Sequence, residues 1–395
     1  MTKYELLAPA GSMESLIAAV DNGADAVYFG LNEFNMRARA KNFSFRDLKK
    51  IEKICKPRNV KRYLTLNVII YDLELEKLER LVQKVKPFVD AIICWDFSVI
   101  QLCKKYKIPF HISTQASISN LESAKFYQSL GAERIVLARE LSLKQIKKIS
   151  KELKIGVECF CHGAMCVSIS GRCFTSQFLY CRSANRGECI QPCRKEYLIK
   201  DKETGKELIL ENDRVMSAKD LCTLPFLEDM KRSGIISFKI EGRNRSPEYV
   251  ATVVKEYRKA LDKKFSQEEI KESLKNLEKV YHRGNSSGFY LGVPTADDFS
   301  NSEKGDQTES KVYIGRIEKY WPRVEVAGIK IHHSVLKIGD EIYAIGKNTG
   351  IKRAKIERIE MEGKSLSSCK KGDFVGIKIS GVKKGDSVYL IKKKI

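Results

Sequence analysis

The sequence contains little that would place it in a membrane, a secretory pathway or a common peptidase class. No apolar run approaches the roughly 20 residues of a membrane span. The opening MTKYELLAPAG lacks a charged segment followed by an apolar one, so we expect no secretory signal and a cytoplasmic protein without membrane contact. Only 5 of the 395 residues are His and none lies in H-E-x-x-H, which excludes the common zinc-peptidase signature.

Positive charge and cysteine are, by contrast, abundant. The 72 Lys and Arg exceed the 50 Asp and Glu by 22, and such an excess favours a polyanionic partner such as nucleic acid, although a Lys-rich composition alone would also produce it. A hydrophobic content of 43% is enough for a large core, and the length predicts two or three domains. The 12 Cys are not expected to form a disulfide framework in a reducing cytoplasm.

The cysteines are concentrated in one segment. Seven fall between 159 and 193, and Cys222 follows. The segment has no C-x₂-C pair, which disfavours a zinc ribbon, whereas an iron–sulfur cluster accepts four thiolates at irregular spacing and is favoured. A nucleophilic Cys activated by His162, the only nearby His, stays open as an alternative. Cys94, Cys103 and Cys159 lie in apolar patterns typical of a buried core.

Residues 1 to about 260 alternate between short apolar segments and amphipathic ones, within a first domain predicted over 1–295. An N-cap at Ser12 and a capping-box spacing from Ser142 mark the starts of two helices, and a third amphipathic stretch covers 73–85. This alternation predicts an α/β fold, a (β/α)₈ TIM-like barrel. An open doubly wound sheet is the alternative, which the absence of G-x-G-x-x-G after the first strand disfavours. The predicted strands are 4–8, 26–29, 63–68, 91–94, 110–113, 134–138, 156–160 and 237–240.

A Cys-rich insertion, 159–222, interrupts the alternation after the seventh strand. In a barrel of this type that position belongs to the catalytic face. A polar linker is predicted over 296–310, followed by period-two patterns with Gly-Asp turns over 311–395. This last part resembles the small β-barrel beside the GTPase domain of translation factors. With 20 Lys and Arg against 10 Asp and Glu from 309 onward, it holds nearly half of the excess charge.

At the cysteine segment the chain resembles a known family. Glu158-Cys-Phe-Cys-His-Gly-Ala-Met-Cys166, followed by Gly171-Arg-Cys173, matches the signature of the collagenase-like peptidase family U32. Thr175 stands where the family prefers an aliphatic residue. Further matching segments are Leu7-Ala-Pro-Ala-Gly11, Asp25-Ala-Val-Tyr-Phe-Gly30, Met36-Arg-Ala-Arg-Ala-Lys-Asn-Phe43, Asn185-Arg-Gly-Glu-Cys-Ile-Gln-Pro-Cys-Arg194, Ser217-Ala-Lys-Asp-Leu-Cys222 and Lys239-Ile-Glu-Gly-Arg243.

The resemblance implies RNA modification more than proteolysis. Members with this layout include prephenate-dependent hydroxylases that make 5-hydroxyuridine at the tRNA wobble position, an enzyme that hydroxylates a cytidine of ribosomal RNA, and proteins that hydroxylate ubiquinone precursors with a four-iron four-sulfur cluster. One short barrel with a C-terminal β-domain is most similar to the tRNA branch, which implies tRNA as partner and prephenate, a small dicarboxylate, as co-substrate. The alternatives are ribosomal RNA as substrate, a collagenase-like peptidase and a non-catalytic RNA-binding protein. The implied cluster ligands are Cys166, Cys173, Cys193 and Cys222, with Cys189 in reserve.

Polar residues near predicted strand ends supply the other candidates. Prephenate carries two carboxylates, and Arg binds a carboxylate through two hydrogen bonds, so Arg243 is the first candidate and Arg139 the second. Glu158, Glu241 and His162 are candidate acid, base or orienting groups. The remaining candidates for substrate binding are Asn67, His111 and Gln115, which lie at strand ends, and Arg172 and Arg194, which lie among the cysteines.

Overall fold

A computed structural model describes residues 4–208, 216–302 and 305–394. Residues 209–215 of the predicted insertion, residues 303–304 of the predicted linker and the chain ends 1–3 and 395 lie outside this description. Within the described residues, eight parallel strands close into a barrel, which confirms the TIM-like fold. The first seven are β1 (Glu5–Ala10), β2 (Ala26–Phe29), β3 (Lys61–Leu66), β4 (Ala91–Cys94), β5 (Phe110–Ile112), β6 (Arg134–Val136) and β7 (Gly156–Gly163).

Helices on the outside of the barrel connect these strands. Both predicted caps are confirmed: the Ser12 side chain accepts a hydrogen bond from the Ser15 amide at 3.3 Å, and Ser142 forms a capping box with Gln145. Each cap satisfies backbone amides that the first helical turn leaves unpaired. The six helices of this part are α1 (Met13–Asp21), α2 (Leu48–Cys55), α3 (Leu75–Val85), α4 (Phe97–Tyr106), α5 (Leu121–Ser129) and α6 (Leu143–Glu152).

The Cys-rich insertion follows β7, as predicted. Its last strand pairs antiparallel with the end of β7, placing Cys222 opposite His162, and β7 therefore runs three residues beyond its predicted end. The final barrel strand, β11 (Ser237–Ile240), pairs in parallel with both β1 and β7 and closes the barrel. The described elements from here to residue 286 are α7 (Thr175–Tyr180), β8 (Ile199–Lys200), β9 (Glu207–Leu208), β10 (Asp220–Cys222), α8 (Leu227–Arg232), β11 (Ser237–Ile240), α9 (Pro247–Asp262), α10 (Gln267–Leu277) and β12 (Asn285–Ser286).

The barrel interior is apolar on one side and ionic on the other. Strands β1 to β4 contribute a compact cluster that includes Leu7, Tyr63 and Ile93. On the opposite side the buried Glu158 carboxylate accepts from Lys239 Nζ at 2.8 Å and from Arg134 at 3.2 Å. A buried charge requires such pairing, and a TIM barrel is a packed core, so this ionic layer forms the floor beneath the barrel mouth.

The C-terminal domain is an antiparallel sheet wrapped around its own core. The strands are β13 (Glu309–Trp321), β14 (Val326–Ile331), β15 (Leu336–Lys337), β16 (Glu341–Gly346), β17 (Gly350–Lys355), β18 (Ile359–Met361), β19 (Lys364–Leu366), β20 (Ser368–Cys369), β21 (Phe374–Lys378) and β22 (Ser387–Lys393). The strand order is β17-β16-β22-β13-β14-β21-β18-β19, and buried side chains from these strands, such as Ile329, Ile342 and Val388, form one cluster. The short strands β15 and β20 pair separately.

The segment predicted as a linker contacts the insertion. Backbone hydrogen bonds join Lys219 to Asp298 at 2.8 Å and Ser300 to Ser217 at 2.7 Å. None of the helices in the described ranges combines the length and the hydropathy that a membrane crossing requires.

Candidate active site at the barrel mouth

A polar cavity opens at the carboxyl ends of the barrel strands, the face where TIM-barrel enzymes carry their active sites. Cationic, amide and hydroxyl side chains converge there with a single carboxylate, that of Glu241, among its lining residues. Four residues singled out in the sequence line it, namely Asn67, Gln115, Glu241 and Arg243, together with Arg37, Lys239, Tyr28, Thr65 and Ser113.

Two glycines allow the loop after β11 to sit against its neighbours. A Cβ atom at Gly11 would lie 1.8 Å from the carbonyl oxygen of Arg243, so only glycine permits this backbone approach. Gly163 has a φ of +106°, and a Cβ atom there would lie 2.4 Å from the Glu241 carbonyl oxygen. The ends of β1 and β7 thus position the loop that carries Glu241 and Arg243.

Glu241 and Arg37 form the charged pair of the cavity. Arg37 Nη2 donates to Glu241 Oε1 at 2.9 Å, with a second hydrogen bond from Nε at 3.3 Å. Burial raises the pKa of Glu241, but the nearby Arg37 and Arg139 guanidinium groups lower it by more, so the pKa lies below its ordinary value. Tyr28 donates to the Ile240 carbonyl at 2.8 Å and approaches Glu241 at 3.5 Å. Glu241 is therefore held ionised and oriented toward Arg37.

Arg243 has only neutral partners. Its guanidinium donates to Thr65 Oγ1 at 2.5 Å and to Asn35 Oδ1, while its Nε is buried without a hydrogen-bond partner. Burial and the nearby Arg37 lower the pKa of Arg243 to about 10. A buried cation with an unused donor is costly unless an anion joins it, so this position fits a carboxylate.

Arg139 presents a second set of unused donors. It donates to the Ala164 carbonyl at 2.9 Å and lies 4.4 Å from the centre of the Phe160 ring. Its Nε and Nη2 are buried without partners. Because Phe160 lines the cavity, Arg139 adjoins the same cavity as Arg243. Two arginines with free donors match the two carboxylates of a small dicarboxylate.

One part of the cavity lining, which we call the amide wall, consists of the neutral residues Asn67, Ser113 and Gln115. The Asn67 amide donates to Ser113 Oγ at 3.4 Å and to Gln115 Oε1 at 3.3 Å, and its oxygen accepts from the Met36 amide at 3.2 Å. Ser113 and Gln115 also hydrogen bond to each other. Such amides and hydroxyls can recognise the edge of a nucleobase.

Three other candidates lie outside this cavity. Glu158 belongs to the ionic floor, and although burial raises its pKa, Lys239 and Arg134 bring it down to about 2. Burial lowers the pKa of His111 and of His162 to about 3, so both rings are neutral at physiological pH. His162 Nδ1 lies 3.4 Å from the Tyr257 hydroxyl. Glu158, His111 and His162 are therefore buried residues around the cavity and do not line it.

Residues 166–193 of the insertion, which we call the cysteine loop, contain two stretches that Ser176 and Asn185 join. Asn185 accepts from the Cys173 amide at 3.1 Å, and Ser176 Oγ accepts from the Ile190 amide at 3.2 Å. Ser176 also donates to Cys189 Sγ at 3.9 Å. The start of α7 is thereby attached to the 189–193 turn.

Cys193 lies in an electrostatic environment that three other thiols of this loop share. Burial raises the pKa of Cys193, Arg194 lowers it, and the Cys166, Cys189 and Cys173 thiols raise it. The hydrogen bonds of Asn185 and Ser176 join the backbone near Cys173 to the backbone near Cys189. Within the described ranges, no three His, Cys, Asp or Glu side chains stand in a preformed metal-binding arrangement.

The charged pair of the cavity adjoins the cysteine loop. Arg37 and Glu241 line a recess of about 360 Å³ together with Cys189. Glu241 first, and then Cys166, raise the pKa of the Arg37 guanidinium.

Cys222 lies apart from this group. It is buried in the barrel core, where the Tyr257 hydroxyl donates to its sulfur at 3.9 Å and to the Cys161 carbonyl at 2.8 Å. The pairing of β10 with β7 turns Cys222 toward these residues. Burial raises the pKa of Cys222 to about 11.

The two arginines predicted among the cysteines have different surroundings. Arg194 donates to the Met165 carbonyl at 2.5 Å and to Ser217 Oγ at 3.0 Å, and it thereby fastens the cysteine loop to the segment before β10. Arg172 is exposed. Burial raises the pKa of Tyr127, and Arg172 partly offsets this rise.

Arg37 and Lys239 line the cavity but were missed as site residues, and the sequence carried a local signal only for Lys239. Period-two alternation through Lys239-Ile-Glu-Gly-Arg243 places Lys239, Glu241 and Arg243 on one side of the chain. Arg37 lies in a family-like segment whose path across the barrel mouth no local pattern indicates.

The sequence also contains a short G-x-S-x-G run, Gly284-Asn-Ser286-Ser-Gly288. In hydrolases this motif joins a strand to a helix and exposes the serine. Here Ser286 ends the two-residue strand β12, and its hydroxyl accepts from the Gly288 amide at 3.1 Å. Among the described residues, no histidine hydrogen bonds to Ser286 or to a cysteine thiol, so neither peptidase arrangement is assembled.

Comparison with known proteins is consistent with this architecture. The chain is 38% identical to a protein of Porphyromonas gingivalis named collagenase, over 99% of this chain and 98% of that one. It is 34% identical to tRNA hydroxylation protein P1 of Bacillus subtilis, over 87% and 84%. It is 36% identical to the 23S rRNA 5-hydroxycytidine C2501 synthase of Escherichia coli, over 79% of this chain and 48% of the relative. The model of peptidase family U32 matches residues 11–300, and the chain belongs to this family.

Proposed function

We propose that this protein hydroxylates a pyrimidine base of RNA, with wobble uridine of tRNA as the substrate and 5-hydroxyuridine as the product. The observation that carries the proposal is the position of Arg37, which pairs with Glu241 in the cavity and lines a recess with Cys189 of the cysteine loop. The cation-rich cavity and the cysteine loop therefore adjoin at the carboxyl end of the barrel.

The cavity supports a dicarboxylate co-substrate such as prephenate. Arg243 and Arg139 each offer buried donors without partners. Lys239 Nζ lies on the cavity floor, where Glu158 neutralises it. Glu241 holds the Arg37 guanidinium in place, and its carboxylate can accept a proton at Oε2, the oxygen that faces Tyr28 at 3.5 Å.

The base is assigned to the amide wall. A base inside a stack is out of reach of such a cavity and has to be turned outward, which an anticodon loop allows at low cost. Asn67 and Gln115 then provide donors and acceptors for the pyrimidine edge. Because Asn67, Gln115 and Arg243 line the same cavity, base and dicarboxylate would lie together there.

The cysteine loop supports a four-iron four-sulfur cluster. We assign the ligands as Cys166, Cys173, Cys189 and Cys193. The other three thiols raise the pKa of Cys193, and the side chains of Ser176 and Asn185 hydrogen bond to residues of this loop. Cys222 is replaced by Cys189 in this set, since Cys222 is buried beside Tyr257. Such a cluster, when bound, would supply electron-transfer chemistry.

An exposed aromatic surface lies next to the cysteine loop. Phe174 is 58% exposed and Phe178 is 83% exposed, and their ring centres are 6.3 Å apart. Exposed aromatic rings of this kind stack on unpaired bases. We assign this surface to the nucleotides that flank the modified base.

The extent of similarity favours tRNA over ribosomal RNA. The chain covers 84% of the tRNA hydroxylation relative but 48% of the ribosomal RNA synthase. Half of the latter protein thus has no counterpart in this match.

The proposal is tested by mass spectrometry of nucleosides from tRNA and ribosomal RNA of cells with and without the gene. We expect 5-hydroxyuridine-type nucleosides to disappear from tRNA in the deletion strain. An unchanged tRNA pool with a missing ribosomal 5-hydroxycytidine would reassign the substrate. Gelatin hydrolysis that survives stringent purification and is lost in Cys166→Ala would instead favour the peptidase.

A further inference from the structure

Four recesses adjoin one another from the barrel mouth to the C-terminal domain. The mouth cavity shares Arg37 and Glu241 with a recess of about 360 Å³. That recess shares Arg39 and Arg245 with one of about 540 Å³. The latter shares Lys41 with a fourth, of about 650 Å³. We call the last three recesses together the basic groove.

Positive charge dominates the basic groove. Nine Lys and Arg line it, against the carboxylates of Glu14, Asp47 and Glu241. Part of this charge is neutralised locally, as in the pair of Arg37 with Glu241. Among the described residues, five groove cations have neither an ion pair nor a side-chain hydrogen bond, namely Arg39, Lys41, Lys50, Lys53 and Lys347.

The unpaired cations come from both domains. Lys50 and Lys53 lie on α2 of the barrel, and both are exposed. Lys347 is exposed in the turn between β16 and β17 of the C-terminal domain. The outer end of the groove therefore has cations on two walls, with about 650 Å³ between them.

Contacts between the domains hold these walls in place. Lys311 pairs with Glu248 of α9 at 2.7 Å, and Lys352 pairs with Asp21 of α1 at 3.2 Å. Gly350 packs so closely on α1 that an added Cβ atom would lie 2.7 Å from the Ile17 side chain. The groove is therefore formed before any ligand arrives.

We propose that the basic groove binds the sugar–phosphate backbone of an RNA whose target base enters the barrel mouth. This inference rests on the proposed function and adds the path of the substrate. Unpaired Lys and Arg spaced along a concave track bind successive phosphates without reading sequence. A flat anionic membrane would reach the rim of such a groove but not the cations along its walls.

The test compares two triple variants with the same change in charge. Lys50→Glu, Lys53→Glu and Lys347→Glu remove groove cations. Lys147→Glu, Lys148→Glu and Lys151→Glu alter α6, whose lysines are exposed and line none of the four recesses. Binding of unfractionated tRNA is measured by fluorescence anisotropy from low to moderate salt, and thermal unfolding is recorded for each protein.

We expect the groove variant to bind tRNA at least tenfold more weakly and to reduce the slope of log affinity against log salt by about 2 to 3, because each phosphate contact contributes roughly 0.7 to 0.9. The α6 variant should lose less than threefold. Equal losses in both variants, or a groove variant that binds as the wild type does, would overturn the proposal. A groove variant that no longer binds phosphatidylserine vesicles but still binds tRNA as the wild type does would also overturn the proposal.

The same proteins separate this proposal from the proposed function. If the wild type restores the hydroxylated nucleoside in a deletion strain while the groove variant binds tRNA normally, the function stands and the groove assignment is wrong. If the groove variant loses binding but the wild type modifies no RNA, the groove binds nucleic acid and the enzymatic proposal is wrong.

Discussion

The Arg37 guanidinium donates to the Glu241 carboxylate at 2.9 Å, across 204 positions of sequence. One residue comes from the loop after β2 and the other from the loop after β11. The pair closes one side of the barrel mouth and places a cation between the cavity and the cysteine loop. The pair therefore lies between the proposed substrate cavity and the proposed iron–sulfur site of the cysteine loop.

Removing either partner of this pair should impair modification by about tenfold to a hundredfold, since hydrogen bonds to charged groups contribute about 1.5–3 kcal/mol. We expect Arg37→Met and Glu241→Gln each to lower the hydroxylated nucleoside in complemented cells. The double variant should be little worse than either single variant, because both remove one interaction. Losses that simply multiply would show that the two residues act independently.

The assignment of Cys189 instead of Cys222 predicts a difference in iron content. Cys189→Ala purified without air should lose the visible absorption and most of the iron, because a cluster needs four thiolates. Cys222→Ala should retain both, since its sulfur faces Tyr257 in the core. The reverse outcome would restore Cys222 to the ligand set.

The buried pair of Glu158 and Lys239 predicts an acid-dependent stability. The pKa of Glu158 falls from 4.5 to about 2 in the folded protein, so its contribution is present above about pH 4.5 and is lost as the pH falls toward 2. Glu158→Gln should flatten this part of the pH profile of the unfolding free energy, measured in urea. It should also lower stability at pH 7 by about 3–5 kcal/mol, because Lys239 is left buried without its carboxylate. A profile of unchanged slope would contradict the assignment.

His162 predicts a separate effect at milder acidity. Its pKa falls from 6.5 to about 3 on burial, so the unfolded chain binds a proton that the folded protein refuses. Stability is therefore full above about pH 6.5 and declines as the pH falls. Replacing His162 with Gln should reduce the slope between pH 6 and pH 4 by about one proton, again from urea unfolding. If the slope persists, His162 is accessible to protons in the folded state.

Phe178 predicts an effect on RNA without an effect on folding. Its ring is 83% exposed, so Phe178→Ala should leave the melting temperature unchanged within about 1 °C. Stacking on a base contributes roughly 1–3 kcal/mol, and we expect tRNA affinity to fall about tenfold or more. Val293, also 83% exposed, offers a matched aliphatic control in Val293→Ala. Equal affinity of both variants would exclude Phe178 from the RNA contact.

The fold was predictable because its signals are local. Ser12 and Ser142 cap the helices that their sequences indicate, and strand periodicity located the barrel. The end of β7 was misjudged because residues 161–163 pair with β10, which depends on the course of the insertion.

The site was predictable only in part. Asn67, Gln115, Glu241 and Arg243 follow buried strands and therefore reach the mouth of the barrel. The group of thiols depends on side-chain hydrogen bonds within the loop, such as that of Ser176 with Cys189, which spacing does not encode.

The most direct test expresses this chain in Escherichia coli cells whose own RNA hydroxylation genes have been deleted, so that no redundant enzyme masks the result. Nucleosides of purified tRNA are then analysed by mass spectrometry for the wild type and for Cys173→Ser. We predict that the wild type produces 5-hydroxyuridine-type nucleosides and that the variant, present at the same level, does not. A wild type that leaves the tRNA unmodified, or a Cys173→Ser variant that modifies it equally, would contradict the account.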